Sequence, residues 1–153
     1  FLLDLGVPCL KVSAFEWDRW WDFGVQQLGI PVIRSIRPDA DVPMQLAGEW
    51  PPHLTDNTTL LHCPYGYPVL CSEVGLRRIK GLQEKALVVG LSDHSHDPLV
   101  PLVAIGMGAQ MLEFHVMLDD AMYDRPPLDA AFSWRPTEFR ELVASIRRAE
   151  AVL

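Results

Sequence analysis

Short apolar runs alternate with longer amphipathic segments along this chain, and the alternation predicts parallel β-strands joined by helices. The strand-like runs lie at residues 6–13, 30–36, 58–63, 87–91 and 111–117. Strands that alternate with helical segments at such distances are typical of βαβ units in a parallel α/β fold. Five strands are too few for a complete eight-stranded barrel, which takes about 250 residues, and an open doubly wound sheet is the other option.

The segments between the strands differ in how well they suit a helix. Apolar residues recur at helical spacing in 16–28, 72–85, 98–108 and 136–146. The tryptophans of the first segment are predicted to pack in the core or in an interface rather than to form a ligand-binding site. Ser72 is a candidate N-cap for the second segment. The stretch 39–57 contains several prolines and a glycine, so we expect it to be irregular.

Composition and charge exclude several classes of protein. The chain has 153 residues, of which 49% are hydrophobic, and this suits one α/β unit with a sizeable core. A net charge of −7 without a basic stripe argues against a nucleic-acid partner. No apolar run is long enough to cross a bilayer, and no signal peptide is visible, so we expect no membrane partner. Unpaired cysteine spacing favours a reducing compartment, and we expect a cytoplasmic location.

Two of the predicted strands end in a carboxylate and an imidazole. Asp93 and His94 close the fourth strand, and Glu113 and His115 lie in the fifth. The carboxyl ends of parallel strands face the ligand site in such folds, so the two imidazoles should converge there. They form a candidate metal site whose neighbouring carboxylates orient the rings or take part in chemistry. A histidine at a strand end can also be a packing residue, and spacing alone leaves both interpretations open.

Several ordered motifs resemble the N-acetylneuraminate (sialic acid) synthase family. From about residue 58 on, the family order LLHC, YP, G-[YF]-S-D-H, E-K-H and a PDE[FL]-type helix is similar to this chain. The corresponding motifs here are LLHC at 60–63, YP at 67–68, GLSDH at 90–94, EFH at 113–115 and PTEF at 136–139. The likeness is fainter over 6–36, where LKVSA and PVIRSI resemble KIAS and PVILSTG.

The resemblance implies a particular fold and assembly. The family fold is a TIM (β/α)8 barrel followed by a small antifreeze-like domain. Residues 1–153 would then be one partial barrel domain holding strands four to eight, without the N-terminal strands and the C-terminal domain. The chain begins at Phe1 in mid-pattern, which agrees with a missing natural N-terminus. The full-length protein is expected to be a homodimer.

The resemblance also implies a reaction and a cofactor. The family condenses phosphoenolpyruvate with an open-chain N-acylated amino sugar, usually N-acetylmannosamine, in nonulosonic acid biosynthesis. A divalent metal, manganese or magnesium, activates the sugar aldehyde as a Lewis acid. By position, His94 and His115 resemble the metal ligands. Glu113 resembles a glutamate near the reacting centre, and Asp93 is a second candidate for a catalytic carboxylate.

Six further residues resemble substrate contacts of the family. Ser92 corresponds to a phosphate contact and Lys11 to a lysine that meets the phosphoenolpyruvate carboxylate, although a solvated lysine at a strand end would look the same. Tyr67 and Asp129 correspond to sugar contacts, yet they also suit a loop aromatic and a turn residue. The remaining two lie in the segment that replaces the family's small S-T-G turn, and they are Ser35 and Arg37.

Departures from the family pattern keep two other functions open. Phe114 replaces the lysine of E-K-H, Arg37 replaces a glycine, Tyr65 stands where an asparagine is expected, and the serine of KIAS is shifted to Ser13. One alternative is a non-catalytic sugar-binding or scaffold relative, which a pocket blocked by Phe114 and Arg37 would favour. The other is a different metal-dependent aldolase or isomerase on a TIM barrel.

Overall fold

The computed structural model describes residues 2–14, 29–38, 57–84, 86, 88–118 and 124–153, and these form an α/β fold. Short 3-10 turns cover Cys71–Glu73 and Ala130–Phe132. Three α-helices are present in the described ranges: α1 Arg78–Gln83, α2 Leu99–Gly106 and α3 Pro136–Glu150. The strands are β1 Leu10–Val12, β2 Val32–Ile36, β3 Thr58–His62, β4 Val88–Asp93 and β5 Met111–Phe114.

All five strands belong to one parallel sheet in which each strand pairs with the next one along the chain. A doubly wound sheet reverses its strand order at a switch point, and no reversal occurs here. Right-handed crossovers in an unreversed order place the connecting segments on one face and leave the other face to curl inward. The sheet is therefore a curled half-barrel, and the doubly wound option is wrong.

An ion pair between the two outermost strands shows how strongly the sheet curls. The Nζ atom of Lys11 on β1 lies 3.0 Å from Oε1 of Glu113 on β5. Neighbouring strands are about 4.8 Å apart, so a flat sheet would separate the first and fifth strands by roughly 19 Å. Two side chains cannot bridge that distance, and the contact therefore requires the curvature of a barrel wall.

The helices cover the outer face of the sheet because apolar residues occupy every second strand position there. The main core cluster joins this face to α1 and α2, and its largest members include Ile36, Leu60, Leu91, Ile79, Leu82 and Val100. A second cluster lies under α3 and contains Ile105, Trp134, Leu142 and Ile146.

Local signals explain where two of the helices begin. Asp97 accepts a hydrogen bond from the backbone N–H of Leu99 at 2.8 Å at the start of α2. Pro136 opens α3, and Glu138 accepts the backbone N–H of Arg135 at 3.0 Å. The predicted Ser72 cap is wrong, because 71–73 form a 3-10 turn and α1 begins only at Arg78.

Two predictions lie outside the described residues. These are the tryptophan-bearing helix at 16–28 and the irregular stretch at 39–57, of which only Asn57 is described. Within the described ranges, no helix is long and apolar enough to cross a membrane.

Gly90 marks the closest backbone approach between β4 and β5. A Cβ atom built on Gly90 would lie 2.0 Å from the carbonyl oxygen of Met111 and 2.8 Å from Cδ2 of Leu61. The first of these neighbours is backbone, so it cannot move aside without separating the paired strands. The absence of a side chain at this position is therefore required by the packing of the sheet.

We predict that Gly90→Ala destabilises the fold by about 1–3 kcal/mol or more, because the added methyl group forces β4 and β5 apart. Gly81→Ala is the matched control, since Gly81 lies in α1 and an added Cβ meets nothing within 4 Å. That control should be neutral or stabilising by up to about 1 kcal/mol. Urea unfolding of both variants measures the difference, and equal stabilities would contradict the packing argument.

His62 is a buried histidine on the outer face of β3, 1% exposed. Its Nε2 atom lies 2.5 Å from the carbonyl oxygen of Val74. A carbonyl only accepts hydrogen bonds, so Nε2 carries the ring proton. Nδ1 is buried without a hydrogen-bond partner. Burial lowers the pKa of His62 below its usual value, and the nearby charge of Arg78 lowers it further, while the Val74 hydrogen bond opposes them.

We predict that His62 makes folding pH-dependent in mildly acidic solution. Below about pH 6.5 the unfolded chain takes up a proton on this ring while the folded chain resists it, so stability is lost as pH falls. Replacement by glutamine should make the pH dependence of the unfolding free energy shallower by up to about 1.4 kcal/mol per pH unit. Urea titrations between pH 8 and 5 test this, and identical slopes for both proteins would refute it.

Candidate functional site

A cavity of about 350 Å³ opens at the carboxyl ends of the strands, on the inner face of the half-barrel. Side chains alternate across a strand, so Ser92 and His94 share the inner face, and so do Glu113 and His115. Lys11 and Ser13 reach the cavity from β1 and the residue beyond it. Among the predicted site residues, those that line the cavity are Lys11, Ser35, Tyr67, Ser92, Glu113 and the two histidines.

One half of the cavity is suited to anions, and we call it the anion side: Lys11, Ser13, Ser35 and Ser92. In the structure the carboxylate of Glu113 is held there by two partners. Lys11 lies 3.0 Å from Oε1, and the hydroxyl of Ser92 donates to Oε2 at 2.6 Å. Strand register explains the second contact, because Ser92 and Glu113 are directly paired on β4 and β5.

The other half of the cavity, the imidazole side, consists of His94 and His115. Their ring centroids lie 5.3 Å apart. Phe132 packs against both rings, with centroid distances of 5.8 Å and 4.8 Å respectively. Tyr67 lies on His94 at 4.2 Å. Both imidazoles therefore face the same cavity within an aromatic wall.

The protonation of His94 is set by its surroundings. Burial, followed by the nearby His115, lowers the pKa of His94 to about 4, so the ring is neutral at physiological pH. Its Nδ1 atom is buried and has no hydrogen-bond partner. A neutral imidazole with an unpaired nitrogen has a lone pair to offer to a metal or to a donor.

His115 is oriented by a carboxylate outside the strand. Its Nδ1 lies 3.1 Å from Oδ2 of Asp129. A carboxylate oxygen accepts the proton of Nδ1, which leaves Nε2 with the lone pair. Partners of this kind commonly fix the ring of a metal-binding histidine. Asp129 therefore contacts the site through His115, and it does not itself line the cavity.

Tyr67 and Cys63 are neutral groups at the mouth and floor of the cavity. Burial raises the pKa of Tyr67 to about 12, with the adjacent Cys63 as the next contribution, so the phenol keeps its proton and can donate a hydrogen bond. Burial also raises the pKa of the Cys63 thiol. Cys63 thus behaves as a small neutral lining residue.

Three predicted site residues do not line the cavity, and they are Asp93, Arg37 and Asp129. Asp93 is buried on the other face of β4, where its Oδ1 accepts the backbone N–H of Ser95 at 2.8 Å and the Ser95 hydroxyl at 2.7 Å. It braces the turn after His94. The guanidinium carbon of Arg37 lies 5.8 Å from the centre of the Tyr65 ring.

Phe114 and Arg37 do not block the pocket, whereas a blocked pocket would have favoured the scaffold alternative. Phe114 borders the cavity, but its ring packs on Phe139 of α3 at 5.7 Å, against the cluster beneath that helix. Arg37 does not line the cavity. The two departures from the family pattern therefore leave the space between the anion side and the imidazole side open.

Some site features escaped the sequence prediction. Phe132 comes from a segment without periodic pattern, so nothing in the sequence indicated that it packs on both histidines. Ser13 was seen only as a shifted serine, although its spacing of two from Lys11 places both on one face.

Two imidazoles of the described residues face the cavity as candidate metal donors. Among the described residues, no group of three or more histidine, cysteine, aspartate or glutamate side chains is close enough to hold a metal ion. A metal here would have His94 and His115 as its protein ligands and would take its other ligands from water or substrate. Imidazole nitrogens suit transition metals, and the oxygen atoms of water or substrate would supply the remaining ligands.

The cavity of this half-barrel opens at the carboxyl ends of its parallel strands, the end at which (β/α)8 barrels bind their ligands. The model of the NeuB family matches residues 1–153, and the chain belongs to this family. The family resemblance inferred from the motifs is thus confirmed.

Named relatives of this chain make sugar acids. It is 42% identical to the N,N'-diacetyllegionaminic acid synthase of Legionella pneumophila, with 100% of this chain and 44% of the relative covered. It is 28% identical to the human N-acetylneuraminate-9-phosphate synthase over 100% of this chain and 43% of the relative. The chain therefore spans less than half the length of these relatives.

A solved structure has the same fold. The N-acetylneuraminic acid synthetase from Leptospira borgpetersenii serovar Hardjo-bovis, crystallised in complex with citrate, superposes with a TM-score of 0.83 at 26% identity. The match covers 99% of this chain and 53% of that one.

Proposed function

We propose that this half-barrel is part of a nonulosonic acid synthase that condenses phosphoenolpyruvate with an open-chain N-acylated amino sugar of the N-acetylmannosamine type. In that reaction C3 of phosphoenolpyruvate bonds to the aldehyde carbon, water adds at C2 and inorganic phosphate leaves. The observation that carries the proposal is one cavity in which an anion side faces a pair of imidazoles. The sugar acid synthases among the relatives support it.

The half-barrel has a proposed place in a larger assembly. We assign its strands to positions four to eight of a TIM (β/α)8 barrel, which agrees with their unreversed order. The remaining strands and an antifreeze-like domain are proposed to complete a cytoplasmic homodimer. Completion of the barrel would cover both edges of the sheet, and uncovered strand edges favour association with other chains.

The anion side is proposed to bind phosphoenolpyruvate. Lys11 supplies a positive charge for its carboxylate, and Ser92 supplies a hydroxyl for its phosphate. The hydroxyl of Ser35 is buried beside them without a hydrogen-bond partner, so it can donate to a ligand oxygen. These groups give a chain of net charge −7 a local site for an anion.

The imidazole side is proposed to hold a divalent metal, manganese or magnesium, between His94 and His115. When bound, such a metal supplies Lewis-acid activation of the sugar aldehyde. The chain's own contribution is to keep His94 neutral and to orient His115 through Asp129. Tyr67 is proposed to donate a hydrogen bond to a sugar hydroxyl, and Asp129 is proposed to accept one, as the family resemblance implies. Glu113, whose carboxylate is held on the anion side, is proposed to lie near the reacting carbons, as the family resemblance implies.

We predict that Mn²⁺ binding depends on both imidazoles of this site. Electron paramagnetic resonance titration of free Mn²⁺ should show at least about tenfold weaker binding for His94→Ala and for His115→Ala. His96→Ala is the matched control, because His96 lies two residues from His94 but stacks on Trp134 at 4.4 Å and does not line the cavity. Equal Mn²⁺ affinity in all four proteins would argue against the metal assignment.

We predict that the 153-residue chain alone does not condense its substrates, whereas a longer protein with the complete barrel does. Reacting carbons must be held about 3–3.5 Å apart, and an open cavity wall cannot restrain them. Phosphate release from phosphoenolpyruvate, N-acetylmannosamine and Mn²⁺ measures turnover in both proteins. Turnover by the chain near that of the complete protein would contradict this prediction.

The same assay separates the proposed reaction from its rivals. If the complete protein binds the sugar without releasing phosphate, it is a non-catalytic relative. If it converts a sugar without consuming phosphoenolpyruvate, it is another metal-dependent aldolase or isomerase. In either case the proposed condensation would be wrong.

A further inference from the structure

We infer that Glu113 is an internal stand-in for the anionic ligand, by which we mean that its carboxylate binds where the ligand would bind. The carboxylate contacts the side chains of Lys11 and Ser92, and an incoming anion must displace it from them. The inference rests on the proposed function, because that function assigns these two residues to phosphoenolpyruvate. It adds a competition within the protein that sets how tightly the anion side binds.

The geometry of Glu113 is that of a bound ligand carboxylate. Each of its two oxygens has one partner, the ammonium group of Lys11 at 3.0 Å and the hydroxyl of Ser92 at 2.6 Å. A short O–H···O⁻ bond together with an ammonium contact is the arrangement in which proteins hold carboxylates and phosphates. Glu113 therefore takes the contacts that a ligand anion would otherwise make.

Charge makes Glu113 and an incoming anion compete for the same cation. Lys11 is the sole lysine or arginine among the described residues that line the cavity. The side chains of Lys11 and Glu113 are 33% and 36% exposed, so water screens them only in part. An anion that approaches Lys11 meets the negative charge of Glu113 at the same place. The anion can therefore bind only if the Glu113 carboxylate moves away or if the attraction of the site exceeds the repulsion between the two negative charges.

Glutamine in place of Glu113 would remove the competition while keeping the shape of the side chain. Its amide can still accept the hydrogen bond from Ser92, but it has no charge to hold Lys11. Partly exposed ion pairs are weak, so the expected gain in anion affinity is about two- to fivefold. If Glu113 instead attracted the ligand, its replacement by glutamine would lower the anion affinity.

The experiment measures binding of inorganic phosphate, and then of phosphoenolpyruvate, to the 153-residue chain by isothermal titration calorimetry without added metal. Glu113→Gln should bind both anions more tightly than the unaltered chain, and Glu113→Ala should shift affinity in the same direction. Adding Lys11→Met to Glu113→Gln should abolish the gain. Thermal unfolding followed by circular dichroism verifies that each variant is folded.

Two control variants separate the stand-in from a general effect of charge. Asp129→Asn removes one negative charge beside His115, and Glu150→Gln removes one from an ion pair with Arg147 on α3. Both should change phosphate affinity less than Glu113→Gln. A gain of equal size in Asp129→Asn would overturn the inference, because the general field would then account for it.

Other outcomes are equally decisive. Unchanged or weaker phosphate binding by folded Glu113→Gln would overturn the inference, and so would the absence of binding to both Glu113→Gln and Glu113→Ala. The proposed condensation fails separately, by the lack of turnover in the complete protein. Tighter binding without turnover would retain the stand-in and reject the reaction, and turnover without tighter binding would do the reverse.

Discussion

The curvature of the parallel sheet is the constraint on which the site depends. It brings Lys11 of the first strand within 3.0 Å of Glu113 on the fifth, across a distance that a flat sheet would make roughly 19 Å. Because the strand order never reverses, the helices can cover one face while the other bends inward. A cation from one edge of the sheet and the imidazoles near the other edge thereby meet in a single cavity.

Successive side chains of a strand point to opposite faces of the sheet, so neighbouring residues have different roles. His62 faces the helices and bonds to Val74, whereas Cys63 lines the cavity. Likewise Asp93 faces away from the cavity and accepts the backbone N–H of Ser95, whereas His94 faces the cavity. A shift of one residue in register would exchange each of these pairs and bury the site groups in the core. The close approach at Gly90 opposes such a shift, because it admits no side chain against β5.

The features that the sequence could predict are those encoded locally. The five strands, the start of α2 and the closing helix follow from periodicity and terminal signals. The pair of histidines follows from strand ends that share one edge. Strand order was not predictable in this way, since barrel and doubly wound sheets use the same βαβ unit. Asp93 was assigned to the site because it adjoins His94 in sequence, yet the alternation of side chains across β4 directs it away. Phe132 could not be found, because only tertiary packing brings it to the rings.

The half-barrel brings the polar groups of the site together, but it leaves them partly exposed to water. About a third of the surface of Lys11 and Glu113 is exposed, so their attraction is screened and worth about 0–1 kcal/mol. Additional strands against the sheet edges would exclude water and lower the effective dielectric constant, which strengthens every interaction in the cavity. Closure would strengthen the attraction of Glu113 for Lys11 as well as that of a ligand anion for Lys11. The outcome would then depend on which anion, the Glu113 carboxylate or the ligand, accepts hydrogen bonds from more donors of the site. Glu113 uses the hydroxyl of Ser92, and the hydroxyls of Ser13 and Ser35 also line the cavity. A phosphate, with more oxygens than a carboxylate, can engage those additional donors and so replace Glu113.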